Sequence, residues 1–128
     1  MPQSDIITKA PPLAGRRIFI VEDEPIVAID LKYTFEHAGA TVPAISGSCR
    51  DALRAVQELD LDGAVLDYNL ADGDSLPIAK ALADQAVPFM FYSGGGDFSS
   101  IRKLWPQVTI VRKPTQSTKI VQALRDLL

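Results

Sequence analysis

Residues 17–25 read RIFIVEDEP, four apolar residues after Arg17 that break into three acidic side chains and a proline. An apolar run without polar alternation is how a parallel strand covered on both faces reads, and the acidic break is how such a strand ends in a loop. Pro25 suits a first helical turn, where its missing N–H costs nothing. Val27, Ala28, Leu31, Phe35 and Ala38 then recur at helical spacing, and Gly39 is placed to end that helix in a left-handed cap. This one strand-then-helix unit predicts an α/β chain, and the same alternation continues outward from it.

Residues 41–45 read as a short strand, and Pro43, which cannot donate to a ladder, assigns it to a sheet edge. Ser48 caps the next helix, with Asp51 in its first turn and Ala52, Leu53, Val56 and Leu59 turned inward. Residues 61–66 give a third strand that delivers Asp67 at its C-terminal end. Ser75 caps a helix ending near Gln85, with Pro77 tolerated in its first turn. Residues 87–92 form a fourth strand, followed by Ser93 and Gly94, Gly95 and Gly96. A short helix over 98–104 stops at Trp105-Pro106, residues 108–111 form the fifth strand, and Lys113-Pro114 follows it. The last helix begins near Ser117 with Ile120, Val121, Leu124, Leu127 and Leu128 on one face.

A chain of 128 residues with 47% apolar and 23% charged residues has room for one packed domain. Residues 1–15, where Pro, Ser and Gly surround an Ile6-Ile7 pair, read as a flexible N-terminal arm, and residues 16–128 as the domain. The net charge of -3 speaks against binding nucleic acid directly, which rests on clustered Lys and Arg. Cys49 is the sole cysteine and has no internal partner. No apolar run approaches the roughly 20 residues of a membrane helix, and the N-terminus lacks the charged-then-apolar order of a signal peptide. The expected location is therefore cytoplasmic, away from membranes.

In a parallel sheet the strand C-termini share one edge, and ligands bind there. Glu22 and Asp23 follow the first strand, Asp67 the third, Ser93 the fourth and Lys113 the fifth. Three carboxylates that converge repel one another unless a cation sits among them. Mg²⁺ is the natural choice, since it takes oxygen ligands and is held by one or two carboxylates plus a phosphate. An aspartate beside such an ion can act as nucleophile toward phosphorus, with one lysine and one hydroxyl to neutralise and orient the phosphoryl oxygens.

The strings IFIVEDEP, AVLDYNLADGDS, FYSGG and VRKP, in this order on successive strand ends, resemble the receiver domain of response regulators in two-component systems, over about residues 16–128. The resemblance implies a flavodoxin-like (CheY-like) doubly wound fold: a five-stranded parallel sheet in the order 2-1-3-4-5 with helices on both faces. It implies that Asp67 is the phosphoacceptor, that Asp23 is a metal ligand, and that Glu22 acts on the metal chiefly through its water. The backbone carbonyl of Asn69 becomes a further ligand of Mg²⁺. Ser93 and Lys113 become the groups that hold the phosphoryl oxygens, Gly94 the small residue beside them, and Lys113-Pro114 a cis bond. The implied partners are a sensor histidine kinase or a histidine phosphotransfer protein as donor, and a downstream protein as receiver of the signal.

FYSGGG also resembles a subgroup of single-domain receivers with a Pro-Phe-x-Phe-x-Thr-Gly signature, with Tyr92-Ser93 in place of its small residue and Thr. Ala71 and Ser75 stand where many receivers have Pro and Gly. Ile110 stands where a switch aromatic is usual, so the glycine run is expected to be the moving part. With no output module after Leu128, the chain is expected to act as a stand-alone signalling domain and not as an enzyme. A phosphorelay intermediate or a phosphate sink fits the same residues.

Two other classes compete. An aspartyl-phosphate hydrolase would place its nucleophile after the first strand with a second Asp two residues on, and Asp23-Glu24-Pro25 fails that pattern. A flavodoxin-like cofactor binder would be coloured. The glycine run lacks the Gly-x-Gly-x-x-Gly spacing of a dinucleotide cradle. His37, among Glu36 and Lys32, reads as solvated, Cys49 as structural, and Trp105 as packing. Asp72 and Asp74 are assigned to the turn around Gly73, with contact at the edge of the metal site as the alternative.

Overall fold

The computed structural model describes residues 10–128. Along the chain lie β1 (Ile18–Val21), α1 (Pro25–His37), β2 (Ile45–Ser46), α2 (Cys49–Glu58), β3 (Gly63–Leu66), β4 (Asn69–Leu70), β5 (Gly73–Asp74), α3 (Leu76–Asp84), β6 (Phe89–Ser93), α4 (Ser99–Leu104), β7 (Thr109–Arg112) and α5 (Ser117–Leu127). Five strands form one parallel sheet in the order β2-β1-β3-β6-β7, and β4 and β5 form a separate antiparallel hairpin. Counted within the main sheet alone, the order is the expected 2-1-3-4-5. This is the CheY-like, flavodoxin-type doubly wound fold, and its strand order reverses between β1 and β3.

All four residues of β1 and all four of β3 are buried, so neither strand shows a polar face. Strand alternation sends Phe19, Val21, Ala64, Leu66 and Phe91 to one side, where Ala52, Val56, Ile78, Leu82 and Ile101 of α2, α3 and α4 cover them. Ile18, Ile20, Val65 and Met90 point to the other side, against Leu31, Phe35, Ile120 and Leu124 of α1 and α5. Local residues set where two of the helices begin. Ser48 accepts from the Asp51 N–H at 3.1 Å, and Pro25 opens α1. Gly39 adopts φ +99°, and a Cβ there would lie 2.9 Å from Pro11 Cβ, so glycine is required both for the turn and for the approach.

Three expectations are corrected. Thr41 makes only an isolated bridge to Arg17, and regular pairing of the edge strand starts after Pro43, at Ile45 opposite Ile20. Ser75 precedes α3 but does not cap it; its hydroxyl turns back to the Asp67 carbonyl, and the Leu76 N–H is taken by Asp74 Oδ1 at 2.9 Å. The packed core extends before Arg16, into residues assigned to the arm 1–15. Residues 1–9 lie outside the described ones, but Leu13 is fully buried beside Phe35 and Ala38, and its N–H donates to the Ala38 carbonyl at 2.8 Å. A single apolar residue between Pro12 and Gly15 has no period to betray it, and the core reaches past Arg16 because Leu13 packs against the end of α1. Leu13→Ala should therefore cost about 2–4 kcal/mol in urea unfolding, as a core truncation does; a loss below about 0.5 kcal/mol, the surface range, would place Leu13 outside the core.

Candidate functional site

The strand order brings the ends of β1, β3, β6 and β7 side by side, and the polar residues singled out from the sequence follow those four ends. The Asp67 N–H still donates to the Val21 carbonyl at 2.8 Å, so the sheet ladder itself fixes the backbone of Asp67 against β1. Oxygens of Glu22, Asp23 and Asp67 lie within 4.8 Å of one another. Lys113 Nζ sits 2.5 Å from Glu22 Oε1 and 3.3 Å from Asp67 Oδ2, under cover, with 17% of its side chain exposed against 1% and 11% for its partners. The Ser93 hydroxyl lies 2.8 Å from Asp67 Oδ1 and 2.9 Å from the Gly95 carbonyl. Having one proton, it donates to one of them at a time.

Both Glu22 oxygens are engaged, Oε1 by Lys113 and Oε2 by the Glu24 N–H at 3.1 Å. Burial raises the Glu22 carboxyl above its ordinary value, against the pull of Lys113 and of the Glu24 N–H. Burial alone would lower Lys113, but the bond to Glu22 and the charge of Asp67 outweigh it and raise the ammonium's pKa. Three carboxylates against one ammonium leave two negative charges uncompensated, all on hard oxygen donors at one rim. That donor set fits a divalent cation such as Mg²⁺.

Five of the seven residues assigned from the sequence, Glu22, Asp23, Asp67, Ser93 and Lys113, thus gather within direct reach. Asn69 lies two residues beyond Asp67 in β4, opposite Asp74, and Gly94 directly follows Ser93. A Cβ on Gly94 would meet nothing within 4 Å, whereas one on Gly96, at φ +124°, would stand 2.6 Å from the Tyr68 ring. Lys113-Pro114 is cis. The Lys113 ammonium also stands 5.7 Å from the centre of the Tyr92 ring, an arrangement that favours the cation.

Several contributors escaped the sequence reading. Ser75, fully buried, ties the loop after Asp67 back to the Asp67 carbonyl, and the Ser75 N–H donates to the Tyr68 carbonyl at 2.8 Å. Tyr68 packs 4.8 Å from Phe98 and against Gly96, so the residue after Asp67 touches the glycine loop. Asp72 does not serve its own turn. It accepts from the Cys49 and Arg50 N–H groups of α2, and the bond from Cys49 foremost holds its carboxyl below the ordinary range. Cys49 is structural as expected; burial first, then Asp72, pushes its thiol up to about 11. His37 is exposed, and Trp105 packs edge-on against Phe89 at 5.1 Å.

No family model matches this chain. A stretch of 59 residues, 45% of the chain, is 37% identical to the phyllosphere-induced regulator PhyR of Methylorubrum extorquens, and the match covers 22% of that protein's length. Among solved structures, a response regulator receiver protein from Sinorhizobium medicae superposes with a TM-score of 0.78 at 24% identity, over 88% of this chain and 93% of that one. The receiver domain of PhyR from Erythrobacter litoralis gives 0.72 at 18% identity, over 85% and 86%. The non-phosphorylated receiver domain of HemR from Leptospira biflexa gives 0.75 at 22%, over 88% and 93%. The fold is that of response-regulator receiver domains. Among the described residues, no helix is long and apolar enough to cross a membrane.

Three substitutions probe this geometry. Lys113→Met leaves Glu22 buried without its cation, and should lower metal-free stability by about 2 kcal/mol in urea, below the ~3–5 kcal/mol of a wholly buried pair because the site is partly wet. Gly96→Ala should cost about 1–3 kcal/mol, from positive φ and the clash with Tyr68, while Gly94→Ala stays near zero. Equal costs for the two glycine variants would contradict the packing described.

Proposed function

We propose that this chain is a response-regulator receiver domain of a two-component pathway, which accepts a phosphoryl group on Asp67 from a phosphohistidine and signals through a change in protein–protein contact. One observation carries the reading: the Asp67 carboxylate is bonded by Ser93 and Lys113 while lying against Glu22 and Asp23. The likeness in fold to receiver domains and the partial match to a regulator support it.

In the proposed reaction an Asp67 oxygen attacks the phosphorus, the P–N bond breaks, and the donor imidazole leaves with that electron pair. Asp23, Asp67 and the Asn69 carbonyl would hold Mg²⁺, and Glu22, both of whose oxygens are already bonded, would act on it through water. When bound, the ion offsets negative charge on the carboxylates and phosphoryl oxygens. Lys113, kept protonated by Glu22 and Asp67, pairs with the transferred group, and Ser93 donates to one of its oxygens. Gly94, with open space beside it, lets that group approach the backbone. The domain promotes its own phosphorylation and turns over no separate substrate, so it is a signalling module and not an enzyme in the usual sense. Its place is the cytoplasm, with a sensor histidine kinase or histidine phosphotransfer protein upstream and a protein partner downstream.

Ser93 also supplies the link to output. Its hydroxyl is shared between Asp67 and the Gly95 carbonyl, so a phosphoryl group on Asp67 that captures the proton releases Gly95. The glycine loop then rearranges where Ile110, aliphatic, offers no rotating aromatic. The output surface is that loop, α4 and β7.

Incubation with a small acyl phosphate and Mg²⁺, followed by intact-mass measurement, should add one phosphate to the wild type and none to Asp67→Asn; an adduct on both would move the acceptor elsewhere. Without phosphodonor, Mg²⁺ at about 100 times its Kd should stabilise the wild type by about 2.7 kcal/mol, reversed by a chelator.

A further inference from the structure

We propose that Asp72 is a positioning residue for the metal: it ties the loop that carries Asp67 and Asn69 to the start of α2, and so fixes the two halves of the acidic cluster against each other. The proposal rests on the reading of Asp67 as a metal-assisted phosphoacceptor.

The loop after Asp67 has little stiffness of its own. Ala71 and Ser75 restrict the backbone less than proline would, and Gly73, at φ +140° with nothing within 4 Å of a Cβ, forms an open turn. Its shape is held by side-chain bonds. Asp72 Oδ1 accepts the Cys49 N–H at 2.8 Å and Oδ2 the Arg50 N–H at 3.2 Å. In the other direction the Cys49 thiol donates to the Asp74 carbonyl at 3.1 Å. One turn of helix therefore grips the hairpin at its turn and on its returning strand.

The first N–H groups of a helix have no partner within it. Here they are divided between two sources, Cys49 and Arg50 going to Asp72 and Asp51 going to Ser48. Ser48 is local and Asp72 comes from across the site, so Asp72 does what a local cap does and, in addition, joins two loops. The far end of the tether matters equally. The Glu22 N–H donates to the Ser46 carbonyl at 2.9 Å, and Gly47, just before Ser48, lies beside the acidic loop after β1, where a Cβ would stand in ordinary contact, 3.6 Å from Asp23 Cα. The links run from Asp67 and Asn69 through Asp72 to α2, and from the residues just before α2 through the Ser46 carbonyl to the acidic loop of Glu22 and Asp23. Ligands from β1 and from β3 are thereby spaced by a bond remote from both.

Calorimetric titration of the full chain with Mg²⁺ tests this, on wild type, Asp72→Ala, Asp72→Asn and Ser48→Ala, alongside amide exchange at residues 69–74 in metal-free protein. Asp72→Ala should weaken Mg²⁺ binding about tenfold, the lower end for loss of an outer-sphere partner, and speed exchange in the hairpin. Asp72→Asn keeps an acceptor for Cys49 while losing the charge, and should stay within about threefold of wild type, which separates tether from electrostatics. Ser48→Ala frays the same helix turn without touching the hairpin and should bind as wild type does. The proposal is overturned if Asp72→Ala keeps wild-type affinity and exchange, if Asp72→Asn loses as much as Asp72→Ala, or if Ser48→Ala loses as much. A wild type that binds no Mg²⁺ would sink the receiver reading itself and this inference with it.

Discussion

A single ammonium shared by two covered carboxylates holds the working edge of this domain together. Glu22 and Asp67 bring their charges within 4.8 Å, a repulsion on the order of 3 kcal/mol at the effective dielectric of about 20 that suits protein sites. Lys113, reaching from the far side of the sheet, lies against both and converts that repulsion into a bridge. The bridge is uneven, 2.5 Å to Glu22 and 3.3 Å to Asp67, so the lysine rests on the carboxylate that is not the proposed nucleophile. Asp67 therefore keeps its nucleophilic oxygens less encumbered than a symmetric ion pair would leave them. The cluster remains short of positive charge, and that shortage is what a divalent cation would offset in the proposed function.

None of these groups could meet without a sheet buried on both faces. Because β1 and β3 carry no polar side chain within the strand, all their ionisable residues are displaced to the strand ends, and parallel pairing puts those ends on one edge. The same fact made the fold legible in the sequence. Apolar runs ending in EDEP, DYNL and SGGG state both that a strand is covered twice and where its chemistry begins. The pairing order, by contrast, came from the resemblance and not from periodicity, which says nothing about neighbours.

What the sequence concealed has a common physical origin. Leu13, Ser75 and Asp72 act through bonds or burial between segments far apart in the chain, and each sits in a run of turn-forming residues where no period exists to be read. Ser75 shows the difficulty well: a serine before a helix with a proline at its second position has every local mark of a cap. Its hydroxyl instead serves the Asp67 carbonyl, because the hairpin brings that group within reach while Asp74 already takes the Leu76 N–H. Local rules gave the right helix and the wrong bond. The strand at Thr41 failed for a related reason, since Pro43 interrupts the ladder that the apolar residues around it advertise.

The three glycines after Ser93 look interchangeable in sequence and are not so in space. Gly94 faces open room, Gly95 lends its carbonyl to the Ser93 hydroxyl, and Gly96 takes a left-handed backbone under the Tyr68 ring. The segment is therefore pinned at two points, one of them the same hydroxyl that contacts Asp67. A loop held only by entropy would respond to a new phosphoryl group diffusely; one held by a proton with two competing acceptors would, under the proposed function, respond by exchange of partners. Tyr68 adds a second line of communication, because its backbone neighbours Asp67 while its ring rests on Gly96, so a shift of either loop is felt by the other. In the proposed function, where Ile110 replaces a rotating aromatic, the occupancy of Asp67 would leave the site through a serine proton and a tyrosine face instead of through a ring that turns.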